Sequence, residues 1–327
     1  MTFRALASTL CLLITLPYLA PAWSDEKDCK PGDYAPSEVM MVPRQVSEHV
    51  WYLMGAPGIA TDNEGFISNA AFVITDEGVV VFDALGTPSL ANKLLSIIRE
   101  KTDQPIKKLV VSHYHADHIY GIQVFKEQGA EVIAPFESNT YLESDSAASR
   151  LEERQFSLDP WVNECTRLIP PDRALRGDYA FSLGGIDFKI NHLGSAHSTG
   201  DLTLFVEQDR VLMSGDVIFE GRVPFVGDAD TKRWLQVLIQ METAGISALI
   251  PGHGPAASAP NEAIRNTRRY LAFLRLRMKH AAEELIPFEE AYEEIDWSEY
   301  EDLPAFEAAN RRNAYHVYLT MEAEAVQ

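Results

Sequence analysis

The residues Ser112-His113-Tyr114-His115-Ala116-Asp117-His118 place three histidines and one aspartate within six positions of the chain. They follow Leu109-Val110-Val111, an apolar run that predicts a buried strand. The first two histidines are two residues apart, so at an extended strand end both imidazoles project to the same side. The aspartate and the third histidine then lie at the start of the next helix, where their side chains can face a second position a few ångströms from the first. Because zinc prefers imidazole nitrogen and carboxylate oxygen where no thiolate is offered, the run predicts a metal site.

Three further candidate ligands lie beside glycines at the ends of predicted strands. His197 belongs to Gly194-Ser195-Ala196-His197-Ser198-Thr199-Gly200-Asp201, Asp216 to Ser214-Gly215-Asp216, and His253 to Pro251-Gly252-His253-Gly254-Pro255. Glycine allows the backbone to pass closely around an ion. One such histidine alone is weak support for a metal site, but together with the histidine run five of the nine histidines follow the ends of predicted strands. The other four are interpreted as ordinary polar residues: His49, His192, His280 and His316.

Strands and helices alternate along the chain from about residue 38, which predicts the α/β class. Strands are expected at 50–54, 71–74, 79–82, 109–111, 131–134, 186–190, 202–206, 211–213 and 248–250. Thr87 and Pro88 predict the start of one helix, a second follows the histidine run, and a third ends at Gly245. Residues 137–178 lack strand signals and are expected to form a partly helical insertion. The apolar spacing over 264–285 predicts an amphipathic helix that packs on the core.

The N-terminus has the pattern of a signal peptide. Arg4 precedes an apolar run from residue 5 to residue 20, and Ala20-Pro21-Ala22 supplies the small residues of a cleavage site. The run is short for a membrane span and Pro17 interrupts it, so no stable span is expected after cleavage. The chain is therefore predicted to be periplasmic or secreted. The expected organisation is a signal peptide at 1–22, a main domain at 38–260 and a C-terminal helical extension at 261–327.

The composition argues against nucleic-acid binding and leaves the cysteines open. The chain has 28 Lys+Arg against 48 Asp+Glu, and its formal charge of -20 would repel a phosphate backbone. No nucleic-acid partner is predicted, and a small-molecule substrate is expected. After removal of residues 1–22 two cysteines remain, Cys29 and Cys165. In an exported protein they form one disulfide or stay as two free thiols, and the sequence allows both.

The pattern H-x-H-x-D-H, followed by a spaced His, Asp and His, resembles the metallo-β-lactamase superfamily across roughly residues 42–255. The resemblance implies a four-layer αββα sandwich with the metal site at one edge of the sheets. The matching ligand positions are His113, His115 and His197 for the first metal, Asp117, His118 and His253 for the second, and Asp216 as the bridge between them. Asp83, at the end of its predicted strand, resembles the aspartate that supports the metal-binding loop from behind the ligands.

The resemblance also implies an enzyme, a hydrolase with two zinc ions per chain. Two ions held close together lower the pKa of a shared water towards neutrality, so that a metal-bound hydroxide is available for attack. Asp117 is expected both to ligate and to orient this water or pass on its proton. The bond cleaved is expected to be an ester, a thioester or a lactam.

The residues after Asp216 bear on the substrate. Phe219 stands where one group of zinc β-lactamases has a lysine that anchors the drug carboxylate, so β-lactams are not the expected primary substrate. The stretch that ends in Gly221-Arg222 is more similar to glyoxalase II and related thioesterases. Arg222 then either anchors a substrate carboxylate or is an ordinary surface-loop residue, and the sequence leaves both open.

Two other functions remain compatible with these residues. One is a mononuclear iron sulfur-oxygenase similar to the persulfide dioxygenases, which keep iron at the first site only. The other is a non-catalytic, metal-binding accessory of a periplasmic quinoprotein dehydrogenase, because the exported chain with its helical tail resembles metallohydrolases found beside such enzymes. Metal analysis with oxygen uptake separates the first from a hydrolase, and turnover of any acyl substrate excludes the second.

Overall fold

Two β-sheets stack face to face in the computed structural model of this chain, and helices cover their outer surfaces. The structure describes residues 29–227, 229–242 and 245–325. The predicted signal peptide at 1–22 lies outside these described residues. No helix within them has the length and apolar character that crossing a membrane requires.

The first sheet contains, among the described residues, seven strands that follow one another in chain order. They are β1 (Arg44–Gln45), β2 (Val50–Leu53), β3 (Ala70–Thr75), β4 (Gly78–Phe82), β5 (Ile106–Val110), β6 (Glu131–Pro135) and β7 (Arg173–Leu175). Strands β1 to β4 pair antiparallel, and strands β4 to β7 pair parallel. The connections between the parallel strands contain α1 (Pro88–Arg99), α2 (Ala116–Ile119), α3 (Ile122–Glu127), α4 (Ser138–Leu142) and α5 (Asp145–Ser157).

The second sheet contains five strands in the described part of the chain, in the order β12-β11-β10-β9-β8. They are β8 (Tyr179–Leu183), β9 (Ile186–Gly194), β10 (Asp201–Val206), β11 (Val211–Phe219) and β12 (Ala248–His253). Only the pair of β11 and β12 is parallel among these described strands. The helices packed on this sheet are α6 (Thr231–Met241), α7 (Pro260–Glu283), α8 (Phe288–Glu294) and α9 (Phe306–Ala325).

Successive side chains of the buried strands point to opposite faces of the sheet, and this divides the core into layers. In β4, Val79 and Val81 pack against the helices, whereas Val80 and Phe82 pack between the two sheets. On the far side, α7 packs its apolar face against the second sheet, as its spacing predicted. The result is the four-layer αββα sandwich with C-terminal helices, so the predicted fold class is confirmed.

The structure departs from the expected elements in several places, and β1 and β8 are strands that the sequence did not predict. The helix after the histidine run is broken into α2 and α3 at Tyr120 and Gly121, and a side chain at Gly121 would clash with the Ala84 carbonyl oxygen. The insertion at 137–178 contains the edge strand β7, whose three residues are too few to show periodicity. Strands β11 and β12 extend beyond their apolar runs, through irregular parallel pairing that continues to Phe219 and His253.

A disulfide joins Cys29 to Cys165, with their Cα atoms 5.4 Å apart, and settles the question that the sequence left open. It fastens the start of the described chain to the insertion. The insertion is also held by Gln123 in α3, whose side chain accepts from the Arg167 amide at 2.8 Å and donates to the Cys165 carbonyl at 3.3 Å. The disulfide therefore closes a segment that packs next to the histidine run.

Replacing Cys165 by serine should lower the free energy of unfolding by about 2–4 kcal/mol, because the bond closes a loop of 136 residues in the unfolded chain. Urea unfolding of the wild type and the variant measures the difference. Cys29→Ser and the double variant are the matched controls, and both should lose the same amount, since all three lack one bond. Two free thiols in the oxidised wild type, detected with a thiol reagent, would contradict the assignment.

Candidate metal centre

The seven predicted ligand residues converge at one edge of the sandwich, where they form two adjoining groups of potential ligand atoms. The residues come from the β5–α2 loop, α2, the β9–β10 loop, β11 and the end of β12. In each group the ligand atoms lie within 4.8 Å of one another. The first group is His113, His115, His197 and Asp216, and the second is Asp117, His118 and His253.

Asp216 lies between the two groups. Its Oδ2 is 3.4 Å from His197 Nε2, which belongs to the first group. The same oxygen is 3.2 Å from His253 Nε2, and its Oδ1 is 3.2 Å from His118 Nε2, both in the second group. The carboxylate therefore contacts imidazoles of both groups, as a bridging ligand must.

Within each group, the other ligand side chains also lie close together. His115 Nδ1 is 3.0 Å from His197 Nε2, and the ring centroids of His113 and His115 are 4.5 Å apart. In the second group, Asp117 Oδ2 is 3.3 Å from His253 Nε2 and 3.5 Å from His118 Nε2.

Several polar atoms of the cluster are buried without a hydrogen-bond partner among the described residues. They include Nε2 of His113 and Nδ1 of His197. Buried polar atoms are rarely left unpartnered in folded proteins, and an unplaced ion is one of the recognised explanations. The donor set of imidazoles and carboxylates is the one that zinc accepts. The residues present therefore fit divalent metal ions.

Asp83 forms hydrogen bonds that hold the loop of the histidine run in place. Its Oδ1 accepts from the Ser112 amide at 2.7 Å, and its Oδ2 accepts from the Ser112 hydroxyl at 2.8 Å. Its Oδ2 is also 2.9 Å from His118 Nδ1, so this imidazole carries its proton on Nδ1 and leaves Nε2 for the cluster. Asp83 has a φ of 62°, a left-handed conformation that few residues other than glycine adopt. The structure thus places Asp83 where a support for the metal-binding loop belongs.

The β2–β3 loop holds the opposite side of the cluster, and sequence reasoning missed it. The Asn69 side chain donates to the carbonyls of Pro251 and Gly254, each at 2.8 Å, and so fixes the turn that carries His253. The Ser68 hydroxyl donates to the Asp117 carbonyl at 2.5 Å. A polar pair directly before a buried strand was the available signal.

Two further supports were also missed. The Asp201 carboxylate accepts from the amides of Ala196 and Ser198, at 3.1 and 2.9 Å, and so closes the loop around His197. Burial raises the pKa of Asp201 to about 7. Any side chain at Gly252 would clash with the carboxylate of Asp216, so the close approach of β12 to β11 requires glycine there.

The two groups differ in ionisation. Burial lowers the pKa of His118, but the carboxylates of Asp117, Asp216 and Asp83 outweigh it and raise that pKa well above its ordinary value. In His253 burial is likewise outweighed, and the pKa is raised by Asp216 and Asp117. Burial raises the pKa of Asp117, yet the two imidazoles bring it below its usual range. The carboxylates of the second group therefore favour the protonated form of both imidazoles.

The histidines of the first group behave in the opposite way. Burial lowers the pKa of His113 and of His115, and it lowers the pKa of His197 to about 3. These three imidazoles are neutral at physiological pH. Neutral imidazole is the form that binds metal, so this group is ready to accept an ion.

Aromatic side chains enclose the ligand histidines. Phe219 is stacked parallel to the His253 ring, with the centroids 5.3 Å apart, and Trp234 meets the His197 ring edge-on at 5.3 Å. Tyr114 is buried beside the run and donates its hydroxyl to the Ile169 carbonyl at 2.8 Å. Phe219 is therefore part of the wall around the ligands and presents no charged group to a substrate.

The structure places Arg222 beside the cluster, half-buried behind His253. Its Nη1 is 3.5 Å from His253 Nδ1, a nitrogen that lies 2.7 Å from the Ile67 carbonyl and donates to it. Burial lowers the pKa of Arg222 from its ordinary value, and the carboxylates of Asp216 and Asp117 oppose that shift. It is therefore not a freely solvated surface-loop residue.

Two curated hydrolases are similar to this chain in sequence. Metallo-beta-lactamase IND-1 from Chryseobacterium indologenes is 20% identical over 220 residues, which cover 66% of this chain and 82% of the relative. Acyl-coenzyme A thioesterase MBLAC2 from Gallus gallus is 28% identical over 157 residues, which cover 44% of this chain and 55% of the relative.

Among solved structures, the stereoselective inverting sec-alkylsulfatase Pisa1 from Pseudomonas sp. superposes with a TM-score of 0.65 at 18% identity. The match covers 86% of this chain and 50% of that one, and it shows a shared fold.

The family model of the metallo-beta-lactamase superfamily matches residues 63–253, more than half of the chain. This range contains all seven converging ligand residues and the aspartate behind them. The chain belongs to the metallo-β-lactamase superfamily of metal-dependent hydrolases.

Proposed function

We propose that this protein is an exported hydrolase that holds two zinc ions and cleaves an ester, thioester or lactam bond of a small molecule. One observation carries the proposal: the buried carboxylate of Asp216 contacts imidazoles of both ligand groups.

Each ion has its own set of ligands in this proposal. His113, His115 and His197 would hold the first, whereas Asp117, His118 and His253 would hold the second. Asp216 would serve both, and Asp83 fixes the orientation of His118. When bound, the two ions lower the pKa of a shared water and polarise the carbonyl under attack.

Asp117 is the residue proposed to handle the proton. Its side chain is 20% exposed, against 4% for Asp216, so it is the cluster carboxylate that a substrate can reach. Its Oδ2 faces the imidazoles of His118 and His253, which leaves Oδ1 to orient the water and accept its proton. Because its pKa is below the usual range, the carboxylate stays ionised at neutral pH. The hydrogen bond from Ser68 to its backbone carbonyl fixes its position.

Export is supported by two independent features. Residues 1–22 have the charged, apolar and small-residue segments of a signal peptide. The disulfide between Cys29 and Cys165 is typical of proteins in oxidising compartments. We therefore propose a periplasmic or secreted location, with residues 38–260 as the main domain and 261–327 as its helical extension.

The relatives are named for the cleavage of a lactam and of a thioester. Because both reactions are hydrolyses, they support a hydrolase over a sulfur-oxygenase. Phe219 is buried against His253 at the position where some lactamases have a lysine, which favours an ester or thioester over a β-lactam. No observation favours a dehydrogenase partner.

Purified without chelator, the protein should contain close to two zinc ions per chain. Asp216→Ala should reduce this towards one, because the variant lacks the only carboxylate that contacts both groups among the described residues. Elemental analysis by mass spectrometry measures the content. Asp187→Asn, on an exposed position of β9, is the matched control and should keep both ions. Stoichiometric iron with no zinc would contradict the hydrolase proposal.

Asp117→Asn should reduce kcat by about 10²–10⁴-fold, because the amide cannot accept the proton of the attacking water. The thermal midpoint should change little while the metals remain bound. Hydrolysis of a thioester panel at neutral pH measures the effect. Tyr114→Phe is the control: it removes one buried hydrogen bond, costs about 1 kcal/mol of stability and leaves kcat within a few-fold. Full turnover of Asp117→Asn with both metals present would exclude the proposed role.

Zinc binding to metal-depleted protein should release protons mainly with the second equivalent. The pKa values of His118 and His253 are raised, so these imidazoles hold a proton more tightly than those of the first group, and coordination requires the neutral form. Affinity for the second ion should therefore rise with pH and fall as the solution is acidified. Calorimetric titration in two buffers of different ionisation enthalpy counts the protons. Heats that do not depend on the buffer would show that the second group is already neutral.

A further inference from the structure

The end of β11 that carries Asp216 lies beyond the regular part of its sheet. Among the described residues, β10 pairs with β11 only as far as Met213. On the other side, the parallel pairing with β12 shifts its register between Met213 and Gly215, and again between Gly215 and Phe219. Buried backbone amides and carbonyls need hydrogen-bond partners. A segment with such irregular pairing therefore depends on partners from outside the sheet.

Two side chains from the covering helices supply such partners. Trp234 of α6 donates its indole N–H to the Val217 carbonyl at 2.9 Å. The hydroxyl of Thr267, on α7, bonds both backbone groups of Phe219: it accepts from the amide at 3.2 Å and donates to the carbonyl at 3.0 Å. Trp234 and Thr267 are both fully buried, so solvent does not compete for these bonds.

Thr267 is a polar residue on the apolar face of α7. Ile264 lies one turn before it on the same buried face, and Leu271 lies one turn after it. A threonine within a helix commonly bonds the carbonyl four residues earlier, which here belongs to Ala263. The Thr267 hydroxyl donates to Phe219 of β11 instead. The hydroxyl therefore joins the C-terminal extension to the strand that carries Asp216.

Phe219 connects this hydroxyl to the ligands. Its ring is stacked parallel to the ring of His253, and its backbone follows Asp216 by three residues. His253 Nε2 in turn lies 3.2 Å from Asp216 Oδ2. Because the Phe219 side chain is buried, its backbone cannot move without displacing these neighbours. A shift of Phe219 would therefore disturb a ligand carboxylate and a ligand imidazole together.

We propose that Thr267 is a positioning residue of the metal centre: its hydroxyl fixes the irregular end of β11 and so sets the placement of Asp216 and His253. This inference rests on the proposed function, because it concerns the ions assigned to those ligands. Thr267 lies outside residues 63–253, the range that the family model matches. The C-terminal extension would thus take part in metal binding without contributing a ligand.

Two substitutions of Thr267 test this role. Thr267→Val keeps nearly the same shape but leaves the amide and the carbonyl of Phe219 without this partner, whereas Thr267→Ser keeps the hydroxyl. Zinc affinity of the metal-depleted protein is measured by competition with a chromophoric chelator. The second ion should bind about 10-fold more weakly to Thr267→Val, as is typical when a support of metal ligands is lost. Thr267→Ser should bind both ions as the wild type does. Wild-type affinity in Thr267→Val would overturn the proposal.

Tyr318→Phe separates positioning from a general loss of stability. The Tyr318 hydroxyl donates to the Ile286 carbonyl at 3.0 Å, a bond within the extension that does not reach β11. Tyr318→Phe and Thr267→Val should both lower the thermal midpoint by a few degrees, since each removes a hydroxyl that is bonded in the folded chain. Only Thr267→Val should bind zinc more weakly. An equal loss of zinc affinity in Tyr318→Phe would overturn the positioning role.

Hydrogen exchange tests the same connection in the wild type, without any substitution. Coupling between two sites is reciprocal, so zinc should slow the exchange of the Phe219 amide and of the α7 amides around Thr267. The last turn of α9 should exchange at the same rate with and without zinc. Exchange around Thr267 and at Phe219 that does not respond to zinc would overturn the proposal, even if Thr267→Val fails to fold.

The results distinguish this inference from the proposed function. If the wild type cleaves no ester, thioester or lactam but Thr267→Val binds zinc more weakly than Thr267→Ser, the proposed reaction fails and the positioning role stands. If the wild type is an active hydrolase and the two variants bind zinc equally, the positioning role fails and the reaction stands. If the wild type binds only one ion, the dinuclear centre fails, and the affinities of the two variants for that ion decide the role of Thr267.

Discussion

In the buried ligand cluster, carboxylates and imidazoles must compensate each other's charge. The carboxylates of Asp83, Asp117 and Asp216 lie within a few ångströms of His118 and His253. Neither set could be buried alone, because isolated charges in a protein interior are strongly unfavourable. Together they form pairs in the metal-depleted protein, and bound cations would replace the protons of those pairs. The close packing of these carboxylates and imidazoles is unfavourable without a metal, and it therefore favours the binding of divalent ions.

The fold supplies this arrangement from its strand ends. Parallel pairing of β4 with β5 brings the turn of Asp83 next to the histidine run, and parallel pairing of β11 with β12 brings Asp216 next to His253. The two sheets then face each other across an apolar interface, which sets one half of the site against the other. The disulfide and the hydrogen bond from Tyr114 to Ile169 hold the insertion against the same region. Outside the ligand cluster, the C-terminal helices add a wall that the two sheets do not provide.

The candidate ligands could be predicted from the sequence because four of the seven lie close together along the chain. The turn that carries His113, His115, Asp117 and His118 is visible in seven consecutive residues, and Asp216 and His253 each lie directly beside a glycine at a strand end. The layers were predictable for the same reason, since β4 and α7 show their periods over one short stretch. The family resemblance added the division of the ligands into two sets and the role of Asp83.

Long-range contacts account for what the sequence did not reveal. Asn69 acts on residues about 180 positions away, and Ser68 acts on Asp117 through a backbone carbonyl, so neither leaves a local pattern. The edge strand β7 forms only because β6 offers it a partner. The pairing of Cys29 with Cys165 and the surroundings of Arg222 likewise depend on segments that meet only in the folded chain.

Asp216 is proposed to join two metal sites into one centre, and anomalous X-ray diffraction can show whether it does. Data collected on either side of the zinc absorption edge, from crystals of the zinc-loaded protein, locate each ion by its own scattering. We expect two zinc peaks, one among His113, His115 and His197 and the other among Asp117, His118 and His253, with the Asp216 carboxylate in contact with both. A single peak, or two peaks of which Asp216 touches only one, would contradict the account.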